Sequence, residues 1–242
     1  VWKVGPGAGA RVALAPRGEL ITGMEDRRSE KRERKAAKED GADRAEQQSN
    51  SYRKAVRDQY VAAVDARLAV ALGSRQDFAE RLVHFWANHF AISIDKIVTV
   101  GLAGNFEFDA IRPHIFGRFA DLLKAASWHP AMLLYLDQAQ SIGPNSMLAQ
   151  RIGARRNREI GLNENLAREI LELHTLGDRA AYSQADVTEF ARAMTGLTVG
   201  GLGERRLQRV LGTDTKPGEG IFVDALHEPG KRTIVGRSYA QN

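Results

Sequence analysis

Glu169 and Glu172 lie three residues apart in a stretch, Asn163 to Leu176, whose apolar residues Leu166, Ile170 and Leu173 recur at helical spacing. Carboxylates at i,i+3 share one face of a helix. They can hold a hard cation, or act as acid and base, if a second helix brings further ligands. His174 lies nearer the edge of the apolar stripe and completes the catalytic candidates, Glu169, Glu172 and His174. A second pair, His84 and Asn88, sits at i,i+4 on a polar helix face, so the candidate metal ligands are His84, Asn88, Glu169 and Glu172, with a divalent ion as the implied cofactor. His89 is five residues from His84, roughly 140° around a helix, so the two cannot chelate one ion. Two blander readings of the Glu169 helix stay open. One is a salt-bridged surface with Arg168 between Glu164 and Glu172, and the other is a structural polar network buried between helices. The helix has no Glu-x-x-His pair, and the chain has no His-Glu-x-x-His, Walker A loop, dinucleotide fingerprint or Gly-x-Ser-x-Gly.

The elements that must position these residues read as helices. Tyr52, Val56, Tyr60, Val64, Leu68 and Leu72 recur every four residues and suggest one buried face of a long helix ended by Gly73. Ser74 with Asp77 suggests a capping box for the next helix, Arg75 to Phe90, with Phe78, Leu82, Phe85, Trp86 and His89 on its apolar side. Asn105 suggests the cap of a short turn ending near Pro113. A helix follows around His114 to Ala126, and another opens at Pro130. The segment Asp137 to Gly161 reads as a long loop. Its basic cluster, Arg151, Arg155, Arg156 and Arg158, is the candidate anion- or partner-binding segment. Ser183 with Asp186 forms a second capping box, before the stripe Val187, Phe190, Ala191 and Met194. Two β-like runs, Ile221 to Val223 and Thr233 to Val235, flank the turn signal Pro229-Gly230.

The expected fold is therefore predominantly α, a multi-helix orthogonal or bundle-like domain with a short β-hairpin-like C-terminal segment. The expected divisions are an irregular or short-strand arm over 1–24, a charged solvated helix or linker over 25–50, a helical core over 51–200, and a truncated β-like segment over 201–242. Residues 25–46 carry eight acids and eight bases, so this stretch has no net charge and no apolar stripe. Its favourable i,i+4 pairs are Glu30–Arg34 and Asp40–Arg44.

The chain of 242 residues can bury one sizeable core. It has no Cys, which excludes disulfides and thiolate metal sites. A net charge of +5 on 35 basic and 30 acidic residues is too small a surplus to argue for nucleic acid, which ranks last among the readings. No run is long and apolar enough for a membrane span. The chain opens on Val1 and stops after GRSYAQN, and a fragment or processed form is expected.

Five blocks carry a resemblance. They are HFWANHF (His84 to Phe90), PAMLLYLD (Pro130 to Asp137), GLNENLAREILELHTLG (Gly161 to Gly177), YSQADVTEFARAMTG (Tyr182 to Gly196) and HEPGKRTIVG (His227 to Gly236). In this order, over about Phe78 to Tyr239, the chain resembles the family called domain of unknown function 1800. The resemblance implies a bacterial, predominantly helical and usually longer protein, exported to the periplasm or beyond. It also implies a protein partner, from a sulfatase-like exported family whose genes often lie alongside. Two departures stand out. Asp178-Arg179-Ala180-Ala181 replaces a Val-Asp-Gly-Gly-like turn, and the family's further helices after HEPGKRTIVG are absent, so a site they complete would be incomplete here. Two functions compete. One is a non-catalytic helical scaffold or interaction module. The other is a metal-dependent or acid/base enzyme, perhaps hydrolytic, built on the Glu169/Glu172 helix.

Overall fold

The structure is a computed structural model that describes residues 14–37, 42–156, 161–202 and 215–240; the side chains of 30–37, 42–50 and 152–156 fall outside the description. The pairs Glu30–Arg34 and Asp40–Arg44, Arg158, the side chains of Arg155 and Arg156, and most of the N-terminal arm therefore lie outside the described residues. The protein is predominantly α. Among the described residues there are nine α-helices and two small antiparallel two-stranded sheets. The chain divides into two compact units, residues 1–131 with 200–219, and residues 132–199 with 220–242.

The first unit begins with α1 (Arg17–Ala37), which starts inside the segment read as an arm, and α2 (Ala42–Gly73). The four-residue row of α2 is not a single buried face. Each step of four advances about 40° around a helix of 3.6 residues per turn, so the row winds outward. Val56 is 2% exposed, Val64 39%, Leu68 54% and Leu72 86%. The buried line runs instead through Val56, Gln59, Ala63 and Val70. Gln59 receives the Ala15 backbone N–H at 2.9 Å and donates to Asn105 at 3.4 Å.

Against this line packs α4 (Ile97–Asn105), which follows α3 (Asp77–His89). The approach is made by glycines. A Cβ on Gly104 would fall 2.4 Å from the Ala63 Cβ, and one on Gly101 would lie 3.6 Å from Val56. Asn105 is not the cap of a turn. The helix runs on through a π-helical segment, Phe106–Ile111, and a short 3-10 turn, Arg112–His114. After it comes α5 (Phe119–Trp128), which starts later than the sequence suggests. Nor does Ser74 cap α3. Its hydroxyl accepts the Gln76 N–H at 3.0 Å, and Gln76, the residue before the helix, makes no side-chain cap.

His129 is buried just before Pro130, the first residue of α6 (Pro130–Tyr135). Its Nδ1 accepts the Ala131 N–H at 3.2 Å, and its Nε2 stands 3.8 Å from Asp109, which also pairs with Arg17 at 3.3 Å. Burial pushes the imidazole below its ordinary pKa, against a smaller opposing pull from Asp109. The fold thus prefers neutral His129 while the unfolded chain takes up the proton. The stability this group supports is full above the ordinary histidine pKa of about 6.5 and is lost as pH falls from there through the lower folded value. Urea midpoints measured from about pH 7.5 down to about pH 5 should decline, and His129→Gln should flatten that decline.

The second unit contains α7 (Met147–Arg156), α8 (Asn165–Glu169) and α9 (Gln184–Met194). The segment read as a long loop therefore carries a helix. Near the start of that segment, the Ser141 hydroxyl accepts the Asn163 N–H at 3.1 Å, which ties it to the approach to α8. Strands β1 (Leu197–Val199) and β2 (Gly220–Phe222) pair with Leu197 opposite Phe222. Strands β3 (Arg232–Ile234) and β4 (Arg237–Tyr239) form the C-terminal hairpin. Its turn places Val235 and Gly236 at φ 48° and 69°. A β-branched residue rarely adopts this conformation. The Val235 N–H donates to Asp186 at 2.6 Å, and Asp186 also completes the capping box of α9 with Ser183.

Candidate functional site

On α3, Asp77, Glu80, Arg81, His84 and Asn88 stack along successive turns and, with Ala71 of α2 and Phe85, line an open groove of about 650 Å³. Of the apolar side expected for α3, Leu82, Trp86 and His89 are half-buried and Phe78 and Phe85 face outward. Ala79, Glu80 and Val83 are inside, while Phe78 is 69% and Phe85 59% exposed. Trp86, His89, Phe90 and Phe119 form a ring cluster beside them, and Phe78 stacks on Phe116.

A buried charge network lies behind the groove. Arg112, 3% exposed, donates to Glu80 at 2.6 Å and to Glu107 at 3.0 Å. The other Glu107 oxygen pairs with Arg67 at 2.9 Å, and Arg67 Nη2 stands 3.4 Å from His84 Nδ1. A guanidinium only donates, so Nδ1 is the acceptor and the neutral ring carries its proton on Nε2. Two arginines balance two glutamates, and the network has no net charge. Glu107 belongs to the π-helical turn, whose wider winding sets where its carboxylate falls. The guanidinium of Arg112 also lies over the Phe108 ring at 5.0 Å. This arrangement fixes Glu80 and His84 in place and presents both donors and acceptors to the groove.

His84 and Asn88 thus share this groove. Arg67, which contacts His84, and the Glu107 and Arg112 behind it carry no signal in the sequence. The only local signal was Glu80 at i,i+4 from His84, since the other three come from distant segments.

The remaining candidates belong to the second unit. The helix α8 continues as a π-helical turn, Ile170–Thr175, in which Leu176 N–H reaches back to Leu171. The extra residue per turn moves Leu173 off the expected apolar stripe to 61% exposure and places His174 inside. Glu172 is held by Arg179, at 2.9 Å from its Nε. Arg168 pairs with Glu164 and not with Glu172. Glu164 also accepts from Gln184 and Thr188, which ties α8 to α9, and the Thr188 hydroxyl is the main reason its carboxyl sits below the usual range. Burial, and then the nearby Glu172 charge, raises the Glu169 carboxyl above its ordinary value. Arg151 is exposed on α7. Among the described residues no group of three or more His, Asp or Glu is placed to hold a metal ion.

The HEPG block is structural in its contacts. Buried Glu228 accepts from the Asn145 backbone and side-chain amides at 2.7 and 2.6 Å, and its own N–H donates to Thr195 at 2.8 Å. His227 Nδ1 lies 2.8 Å from the Thr195 carbonyl. Gly143 is required here, because a Cβ would fall 2.6 Å from the Glu228 backbone.

No curated protein and no solved structure matches the chain. A family model described as "Protein of unknown function (DUF1800)" matches residues 8–242, essentially the whole chain, and the protein therefore belongs to the DUF1800 family.

Proposed function

We propose that this chain is a non-catalytic helical interaction module of an exported protein, and that its contact surface is the α3 face of the first unit. The observation that carries this reading is the pair of large aromatic side chains left outside on α3, Phe78 and Phe85, the latter lining the groove. Exposed apolar side chains grouped in this way mark interaction sites. Export and the partner class, a sulfatase-like exported protein, rest on the resemblance alone. No helix among the described residues is long and apolar enough to cross a membrane.

Co-expression with the neighbouring sulfatase-like protein should yield a complex. Phe78→Ser with Phe85→Ser should weaken it by about tenfold or more, a loss of about 1.4 kcal/mol. Absence of a complex, or a complex indifferent to both substitutions, would overturn the reading. The second reading, an acid/base enzyme on the Glu169/Glu172 helix, is favoured by one observation. Glu169 has a raised carboxyl pKa, the kind of perturbation that catalytic acids show. The engagement of Glu172 by Arg179 weighs against it.

A further inference from the structure

We propose that the groove on α3 is a binding site for a neutral saccharide. The inference rests on the α3 face being a binding surface and goes beyond it by naming a ligand class. Three features of the groove support it.

The first is an unmet acceptor. Glu80 is 7% exposed and lines the groove; one of its oxygens takes the Arg112 guanidinium, and the other, Oε2, receives no hydrogen bond from the described residues. This oxygen is enclosed, and a buried polar atom left unpaired is costly, so a turn of the carboxylate toward the groove would let a ligand hydroxyl supply the missing donor. The second feature is the mixture of donors and acceptors. Asp77 and Glu80 accept, Arg81 and Asn88 donate, and His84, whose Nδ1 faces the Arg67 guanidinium, presents its other ring nitrogen. The two carboxylates are matched by Arg81 and Arg112, so the groove selects neither a cation nor an anion. Hydroxyl groups both donate and accept, and a polyol satisfies such a lining without bringing charge. The third feature is the platform. Phe85 is held edge-on by Trp86 at 5.0 Å between ring centres, yet keeps most of its surface exposed. A flat apolar ring beside polar groups fits the C–H face of a pyranose. The open form of the groove suits a chain rather than an enclosed monosaccharide.

The test is calorimetric titration of the full chain at millimolar concentration with cellohexaose, laminarihexaose, maltohexaose and chitohexaose, with spermidine and an arginine-rich peptide as charged controls. At least one oligosaccharide should bind, and both Phe85→Ala and Asn88→Ala should weaken it by about tenfold, the far-ultraviolet spectrum being unchanged. Both residues are exposed, so neither variant threatens the fold. Failure of every oligosaccharide to bind, binding indifferent to both variants, or binding of the charged controls alone overturns the proposal. Glycan binding without a sulfatase-like complex would defeat only the partner assigned above. A complex sensitive to Phe78→Ser without glycan binding would defeat only the ligand class.

Discussion

Arg112→Met should cost the first unit roughly 3–5 kcal/mol, because it strands two buried carboxylates, Glu80 and Glu107, that share this one guanidinium. Each carboxylate would then have to take up a proton or draw water into the interior. Arg67 compensates only Glu107 and only from a half-exposed position. The loss should appear as a lower urea midpoint and a melting temperature reduced by roughly 6–20 °C, taking about 2–4 °C per kcal/mol for a chain of this size. Arg112→Met combined with Glu80→Leu and Glu107→Leu removes all the buried charges it unbalances, and should recover most of the lost stability. A single Arg112→Met variant within about 1 kcal/mol of the parent would show that the network is not energetically coupled.

Gly104→Val should be the second severe lesion. The Cβ it introduces would overlap the Ala63 Cβ, and neither atom can turn away, because each is fixed to its helix backbone. The helices α2 and α4 must move apart, at a cost of about 3 kcal/mol. The contact can be tested by compensation. Gly104→Ala should destabilise, and Ala63→Gly in the same chain should restore part of the loss by vacating the place the new methyl needs. Ala63→Gly alone should cost about 1 kcal/mol through helix propensity. Chemical denaturation of the two single variants and the double variant gives the coupling. Strict additivity would rule out the contact.

These two positions also show what was legible in the sequence. Local signals were readable. The Ser183–Asp186 capping box, the start of α6 at Pro130 and the predominantly helical class follow from spacings within one turn. Residue spacing misleads where geometry accumulates or winding changes. The α2 row drifts around its helix, and the π-helical turn after α8 exchanges Leu173 for His174; no single residue announces either. His84 and Asn88 were recognisable as a pair because they lie one helical turn apart. The network behind them was not, since Arg67, Glu107 and Arg112 meet through tertiary packing and a charged residue on a helix ordinarily faces solvent. Glu169 and Glu172 were legible as neighbours, but Arg179, which occupies one of them, lies across the turn between α8 and α9.

The Asp186 carboxylate has one further consequence. One of its oxygens closes the first turn of α9 through Ser183 and the other holds the Val235 amide in the strained hairpin turn. The start of α9 and the hairpin turn are therefore tied through one carboxylate. The helix cannot fray at its start without loosening the strap that holds the hairpin, and the hairpin cannot lift without exposing the helix start. A single acceptor shared in this way should make residues 183–194 and 232–239 open together, so Asp186→Ala should speed hydrogen exchange at both the start of the helix and the hairpin.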